Sequence, residues 1–254
     1  MFYRIYGDGK PVILVHGFGE DGEIWNNQKN YLQNICRLII LDLPGSGQSA
    51  YNASLQSIDD FADCMNALLE KESIGKCIML GHSMGGYITL SFAEKYADKL
   101  YGFGLIHSTA FADSEEKKQV RQRSIESMEE YGAYAFLKNT IPNFFSAGFK
   151  QNHPEKVNEL IERGNNFSVE ALQQYYKAMM QRTDTTNVLI HAAVPVLFTI
   201  GTEDQAAPMK DVLQQVHLPA KAYIHILENT AHQGMLESAE KMNEAMKEFI
   251  TDVA

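Results

Sequence analysis

The sequence predicts an α/β chain built on a mostly parallel sheet of about seven strands with helices on both faces. Three observations predict it. Short apolar runs recur through the first 108 residues and again after residue 187, and they are nearly continuous rather than alternating, as in strands covered on both faces. Helix-like segments separate them in a strand–helix–strand rhythm. Between these two parts lies a stretch with helical patterning alone, so an insert interrupts a sheet that resumes beyond it.

The elements follow in order. Phe2 to Tyr6 and Pro11 to His16 are β-rich runs joined by Gly7-Asp8-Gly9-Lys10, which reads as a hairpin-type turn. Arg37 to Asp42, Lys76 to Gly81 and Leu100 to His107 are the next three strands. Ser57 to Glu72 is an amphipathic helix, with Ile58, Phe61, Ala62, Met65, Leu68 and Leu69 at helical spacing and Asp59, Asp60 and Asp63 near its start. Within the insert, Ser114 to Tyr131, Ala133 to Asn139, His153 to Arg163 and Ser168 to Arg182 read as helices. Val194 to Ile200 and Ala220 to Leu227 resume the strands, and Glu237 to Val253 closes the chain as an amphipathic helix. The expected organisation is a core of residues 1–108 and 188–254 with a helical cap, 109–187, inserted after the fifth strand.

Composition narrows the function. The chain has 254 residues, 45% hydrophobic and 21% charged, with 22 basic against 32 acidic side chains and a formal net charge of −10. Such a surface repels phosphate backbones, so no nucleic-acid partner is expected. The apolar stretch Val188 to Ile200 is too short for a membrane span, and the N-terminus does not read as a signal peptide. Cys36, Cys64 and Cys77 show no CxxC spacing, which predicts neither disulfides nor zinc and suggests a cytoplasmic home.

The sharpest chemical signal is Gly81-His82-Ser83-Met84-Gly85-Gly86, between the fourth strand and the helix-like Tyr87 to Ala93. G-x-S-x-G needs small residues because a tight strand-to-helix turn must present the serine hydroxyl. A nucleophilic serine also needs a base, an acid to orient it and donors for an oxyanion. Carboxylates follow the first strand beyond the insert in Gly201-Thr202-Glu203-Asp204, and a histidine follows the last in Ala231-His232. The chain order Ser83, Asp204, His232 is that of one triad lineage.

With these motifs the sequence resembles the α/β-hydrolase superfamily, in its small, capped, serine-esterase form. His16-Gly17-Phe18-Gly19 matches the family's HG motif, Asp42 to Ser49 its D-x-P-G-x-G-x-S turn, and Gly201 to Pro208 its G-x-x-D-x-x-x-P acid loop. The resemblance covers nearly the whole chain and departs in one respect, a single short strand ahead of the HG strand. It implies Ser83 as nucleophile, His232 as general base and then acid, Asp204 as the orienting acid, and the backbone N–H groups of Phe18 and Met84 as the oxyanion hole. Glu203 and Asp113 are the rival acids. Phe18, His16, His82 and Trp25 are candidate substrate contacts; the two histidines also suit loop orientation, and Trp25 suits loop packing. Asp42 is expected to brace its turn. His107, His153, His191, His217 and His225 read as structural or surface residues, and no metal or cofactor is expected.

The expected activity is hydrolysis of a small or medium carboxylic ester or thioester through an acyl-enzyme, with a small-molecule substrate and no oligomeric state assigned. Carbon–carbon bond hydrolysis of a ring-cleavage-type substrate, or a lyase reaction, is an alternative on the same residues. A small-molecule receptor on a hydrolase scaffold is the alternative outside enzymes. The insert's aromatics, among them Phe111, Phe136, Phe144 and Tyr176, divide between its own packing and a pocket wall. Its cationic run Lys117 to Arg123 reads as a solvated helix face in preference to an anion clamp.

Overall fold

The computed structural model describes residues Met1 to Val253. Seven strands form one sheet: β1 (Phe2–Tyr6), β2 (Pro11–Val15), β3 (Arg37–Asp42), β4 (Cys77–His82), β5 (Leu100–Ile106), β6 (Val196–Gly201) and β7 (Ala222–Leu227). Their order across the sheet is β1-β3-β2-β4-β5-β6-β7. Every neighbouring pair is parallel except β1 with β3, which runs antiparallel from Phe2 opposite Asp42 to Tyr6 opposite Leu38.

The central strands are apolar on both faces because helices cover both, and every residue of β4 and β6 is buried. The helices outside the insert are α1 (Asn26–Leu32), α2 (Ile58–Lys71), α3 (Met84–Lys95) and, after it, α10 (Met209–Val212), α11 (Gly234–Glu237) and α12 (Ala239–Asp252). Between β5 and β6 the described chain holds no strand but α4 (Glu115–Tyr131), α5 (Ala133–Thr140), α6 (Ala147–Asn152), α7 (Pro154–Arg163), α8 (Val169–Gln181) and α9 (Thr186–Ile190). Local chemistry sets several helix starts. Ser57 caps α2 in a reciprocal capping box with Asp60, while Ser114 and Ser168 cap α4 and α8 through their side chains.

One expectation is overturned. β1 and β2 are not a hairpin, because β3 lies between them. The glycines do make a turn, with φ of 66° at Gly7 and 105° at Gly9. That turn crosses the start of β3, where Lys10 O accepts the Arg37 N–H at 3.0 Å. β2 is the more apolar strand and takes two parallel partners, which leaves the half-exposed β1 to the edge.

The loops bearing the motifs all leave the C-terminal ends of strands: the HG loop after β2, the D-x-P-G turn after β3, Ser83 after β4, Asp204 after β6 and His232 after β7. This is where ligands bind in open parallel sheets.

Candidate active site

Ser83 joins β4 to α3 with φ 52° and ψ −115°, a conformation that costs a serine about 1–3 kcal/mol. Its surroundings hold it there. Its N–H donates to Ile106 O at 3.0 Å, and its carbonyl accepts from Ser108 Oγ at 2.8 Å. The flanking glycines answer to space: a Cβ on Gly81 would lie 2.1 Å from Gly85 O, and one on Gly85 2.3 Å from Val15 O. The turn therefore packs directly onto β2, and side chains at those two positions would force it off.

Asp204 is buried and accepts four N–H groups. Ala206 and Ala207 donate from the backbone to Oδ1 at 2.8 and 2.9 Å, and His232 Nδ1 and His107 Nδ1 lie 2.9 and 3.2 Å from Oδ2. Burial alone would raise its pKa, but the adjoining His232 and His107 outweigh that and hold it well below the carboxylate range. Burial leaves the His107 imidazole below its ordinary pKa, which suits a neutral ring donating from Nδ1. His107, Asp204 and His232 set nitrogen and oxygen atoms within 4.8 Å of one another, a spacing that metal ligands share. A carboxylate has about four lone-pair sites, and here each faces an N–H, so the cluster is built as hydrogen bonds.

Ser83 and His232 line one pocket of about 160 Å³, together with Phe18, Glu20, Tyr87, Lys117, Arg121, Phe144, Tyr176 and Met179. With Nδ1 engaged by Asp204, Nε2 is the imidazole nitrogen left for chemistry. No direct hydrogen bond joins Ser83 to His232 among the described residues; such bonds often tighten only with substrate in place. Within the same described set, the backbone N–H groups of Phe18 and Met84 donate to no protein acceptor. Phe18 is walled in by Tyr176, stacked at 4.2 Å between ring centroids. A wider groove, about 900 Å³ along β7 and α12, contains none of the motif residues.

Neither rival acid reaches His232. Glu203 is exposed, and Asp113 is turned to Arg121 Nε at 2.7 Å and Arg182 Nη1 at 3.0 Å. Three candidate substrate contacts, His16, His82 and Trp25, are fully buried and are not among the residues lining the Ser83 pocket. His16 Nε2 accepts the Leu43 N–H at 2.9 Å and ties the HG loop to the D-x-P-G turn, and the Trp25 ring packs edge-on against His82. Asp42 braces that turn, accepting N–H groups of Gly22 and Gln48.

Sequence reasoning missed Glu20. Its Oε2 accepts Gly17 N–H at 2.8 Å and faces His82 Nδ1 at 2.9 Å, while Oε1 accepts Gln233 Nε2 at 2.7 Å. His82 Nε2 in turn lies 2.9 Å from His232 O. One buried pair thus ties the HG loop, the serine turn and the histidine loop together. The available signal was an acid placed directly after His16-Gly17-Phe18-Gly19. His107, expected to be a structural or surface residue, is buried and touches the Asp204 carboxylate. The run from Lys117 was read as a solvated face, yet Lys117 and Arg121 are on the pocket wall.

A family model described as the alpha/beta hydrolase fold matches residues 10–239. The chain belongs to the α/β-hydrolase family. This α/β hydrolase is 25% identical over 255 residues, covering 98% of this chain and 93% of the relative, to the (E)-2-((N-methylformamido)methylene)succinate hydrolase of Acinetobacter baylyi. It is 27% identical over 218 residues, covering 82% and 81%, to the pimeloyl-acyl-carrier-protein methyl ester esterase of Wigglesworthia glossinidia brevipalpis. Among solved structures, the thermophilic esterase of Thermogutta terrifontis, with malate bound, superposes with a TM-score of 0.94 at 28% identity, covering 99% of this chain and 93% of the other.

Proposed function

We propose that this α/β hydrolase cleaves a small carboxylic ester or thioester by a Ser-His-Asp acyl-enzyme mechanism, with residues 109–187 acting as the cap over the site. The observation that carries the reading is the strained Ser83 sharing a pocket with an imidazole whose far nitrogen is held by Asp204. His232 Nε2 takes the Ser83 proton as Oγ bonds to the acyl carbon. The resulting oxyanion sits against the free N–H groups of Phe18 and Met84, each such donor being worth about 100- to 1,000-fold in rate. Collapse breaks the ester bond, and His232 returns the proton to the leaving alcohol or thiol. Water then attacks the acyl-enzyme with His232 as base, releasing the acid and restoring Ser83. Asp204, kept ionised, stabilises the imidazolium formed in both halves.

The esterases among the relatives support ester hydrolysis. Cys36, Cys64 and Cys77 are free thiols, which fits a reducing compartment such as the cytoplasm. A pocket of about 160 Å³ is close to the roughly 150 Å³ that holds a benzene-sized ligand, so the acyl group is short. The test is a chain-length series of p-nitrophenyl esters with three variants alongside. The expected optimum is a short acyl chain. Ser83→Ala lowers kcat/KM at least about a thousandfold, Asp204→Asn lowers it nearly as far, and Glu203→Gln leaves it within about threefold. More than a few per cent of activity surviving in Ser83→Ala would sink the reading, and a larger loss in Glu203→Gln than in Asp204→Asn would move the acid role.

A further inference from the structure

The wall of the Ser83 pocket carries more positive charge than its own carboxylates neutralise. Arg121 (side chain 12% exposed), Arg182 (7%) and Lys117 (36%) gather around the single buried carboxylate of Asp113, at 2.7, 3.0 and 3.9 Å. Arg182 is held by Asp113, by the carbonyls of Met179 and Phe111 and by the Tyr87 ring 3.8 Å from its guanidinium carbon. The other two cations have fewer polar partners. Arg121 gives Asp113 Nε and a long 3.5 Å contact from Nη2 and lies 5.0 Å from the Tyr176 ring centroid, leaving Nη1 without a hydrogen-bond acceptor among the described residues. Lys117 Nζ makes one hydrogen bond, to Ala206 O at 2.9 Å, from three available donors.

The remaining ionisable neighbours do not cancel this excess. Glu20, also on the wall, is matched by His82, and Asp204 faces His232 and His107. Tyr87 reports the same field. Burial would push its phenol up, but Arg182, Lys117 and Arg121 outweigh that and hold it below its ordinary 10. A charge such as Arg121, 12% exposed and sharing one carboxylate with two other cations, is costly to bury unless a ligand supplies further counter-charge.

We infer that Arg121 and Lys117 form an anion subsite within the Ser83 pocket, and that the substrate is an ester bearing a second, free carboxylate. The assignment rests on the serine-hydrolase reading for its chemistry and on the cation cluster for its specificity. The planar Arg121 fork suits a carboxylate. The chain's net charge of −10 makes a local cation cluster the more telling, since an anionic substrate is repelled everywhere else.

The experiment compares monomethyl glutarate with its neutral isostere methyl 5-methylhexanoate, and 4-acetoxybutyrate with 4-methylpentyl acetate, by acid release. The first pair puts the carboxylate on the acyl side and the second on the alcohol side. In at least one pair kcat/KM favours the anion about tenfold or more, and Arg121→Gln and Lys117→Met each shrink that ratio severalfold. A folding defect would lower both members of a pair alike and leave the ratio intact. In a parallel arm, millimolar glutarate raises the Tm of Ser83→Ala protein while the neutral glutaramide does not, and adding Arg121→Gln removes the shift. Equal or better hydrolysis of both neutral esters, or no stabilisation by glutarate, overturns the subsite. Hydrolysis surviving in Ser83→Ala overturns the serine mechanism instead, and the glutarate arm then judges the subsite by itself.

Discussion

Glu20 and His82 form a buried pair whose protonation follows from its partners. His82 Nε2 faces the carbonyl of His232, which only accepts, so that nitrogen carries a proton. Burial would raise the Glu20 pKa, but the charge of His82 and the hydrogen bonds from His82, Gln233 and Gly17 hold it at about 2. An ionised Glu20 requires a proton on His82 Nδ1 as well, so the ring is an imidazolium; burial opposes this, and Glu20 outweighs it, leaving the His82 pKa above its ordinary 6.5. A depressed carboxylate pKa stabilises the fold above its unfolded value of 4.5, and that contribution is lost as pH falls through about 2. Glu20→Gln leaves the buried imidazole without its counter-charge and costs about 3 kcal/mol near pH 6. In paired urea titrations, the gap between wild type and Glu20→Gln narrows as pH drops from 4.5 toward 2; a gap independent of pH contradicts the charged pair.

At the scale of elements, the site depends on how the helices between β5 and β6 are fastened to the sheet loops. Tyr175, buried on α8, donates to Pro44 O at 2.8 Å and accepts from Ser46 Oγ at 2.8 Å, locking α8 onto the D-x-P-G turn. The segment from Phe144 to Ser146 grips the histidine loop: Phe144 O accepts the His232 N–H at 2.9 Å, and Glu237 carboxylate oxygens accept Ser146 and Ala231 N–H groups. Tyr175→Phe leaves Pro44 O without its buried donor, a loss of about 1–3 kcal/mol that thermal unfolding reads as a Tm lower by several degrees. An unchanged Tm would mean that another group takes over the bond. These links explain what was and was not legible in the sequence. The serine turn was legible because Gly81 and Gly85 answer to contacts a few residues away or on the adjoining strand. Glu20 and His107 were not, because each gains its role from partners 213 and 97 residues distant that no local pattern announces. The β1–β2 turn failed in the same way: its residues fix a turn, but the choice of partner strand is settled by which strand is apolar enough for the sheet interior.

Across the whole molecule, one sheet edge gathers chemistry from loops spread between His16 and Gln233, and the parallel topology does the gathering. The fold class was readable because seven apolar runs, separated by helices and one helical insert, leave few other arrangements. No helix among the described residues is long and apolar enough to cross a membrane. The net charge of −10 and the Lys117 and Arg121 side chains on the pocket wall are opposed in sign, which sequence totals alone conceal. If Ser83 is the nucleophile, a fluorophosphonate probe, followed by intact-mass analysis and peptide mapping, gives one adduct per chain, on Ser83, absent in Ser83→Ala and formed at least about a hundredfold more slowly in His232→Ala. An adduct on another residue, or labelling of Ser83 at an unchanged rate without His232, would contradict that role.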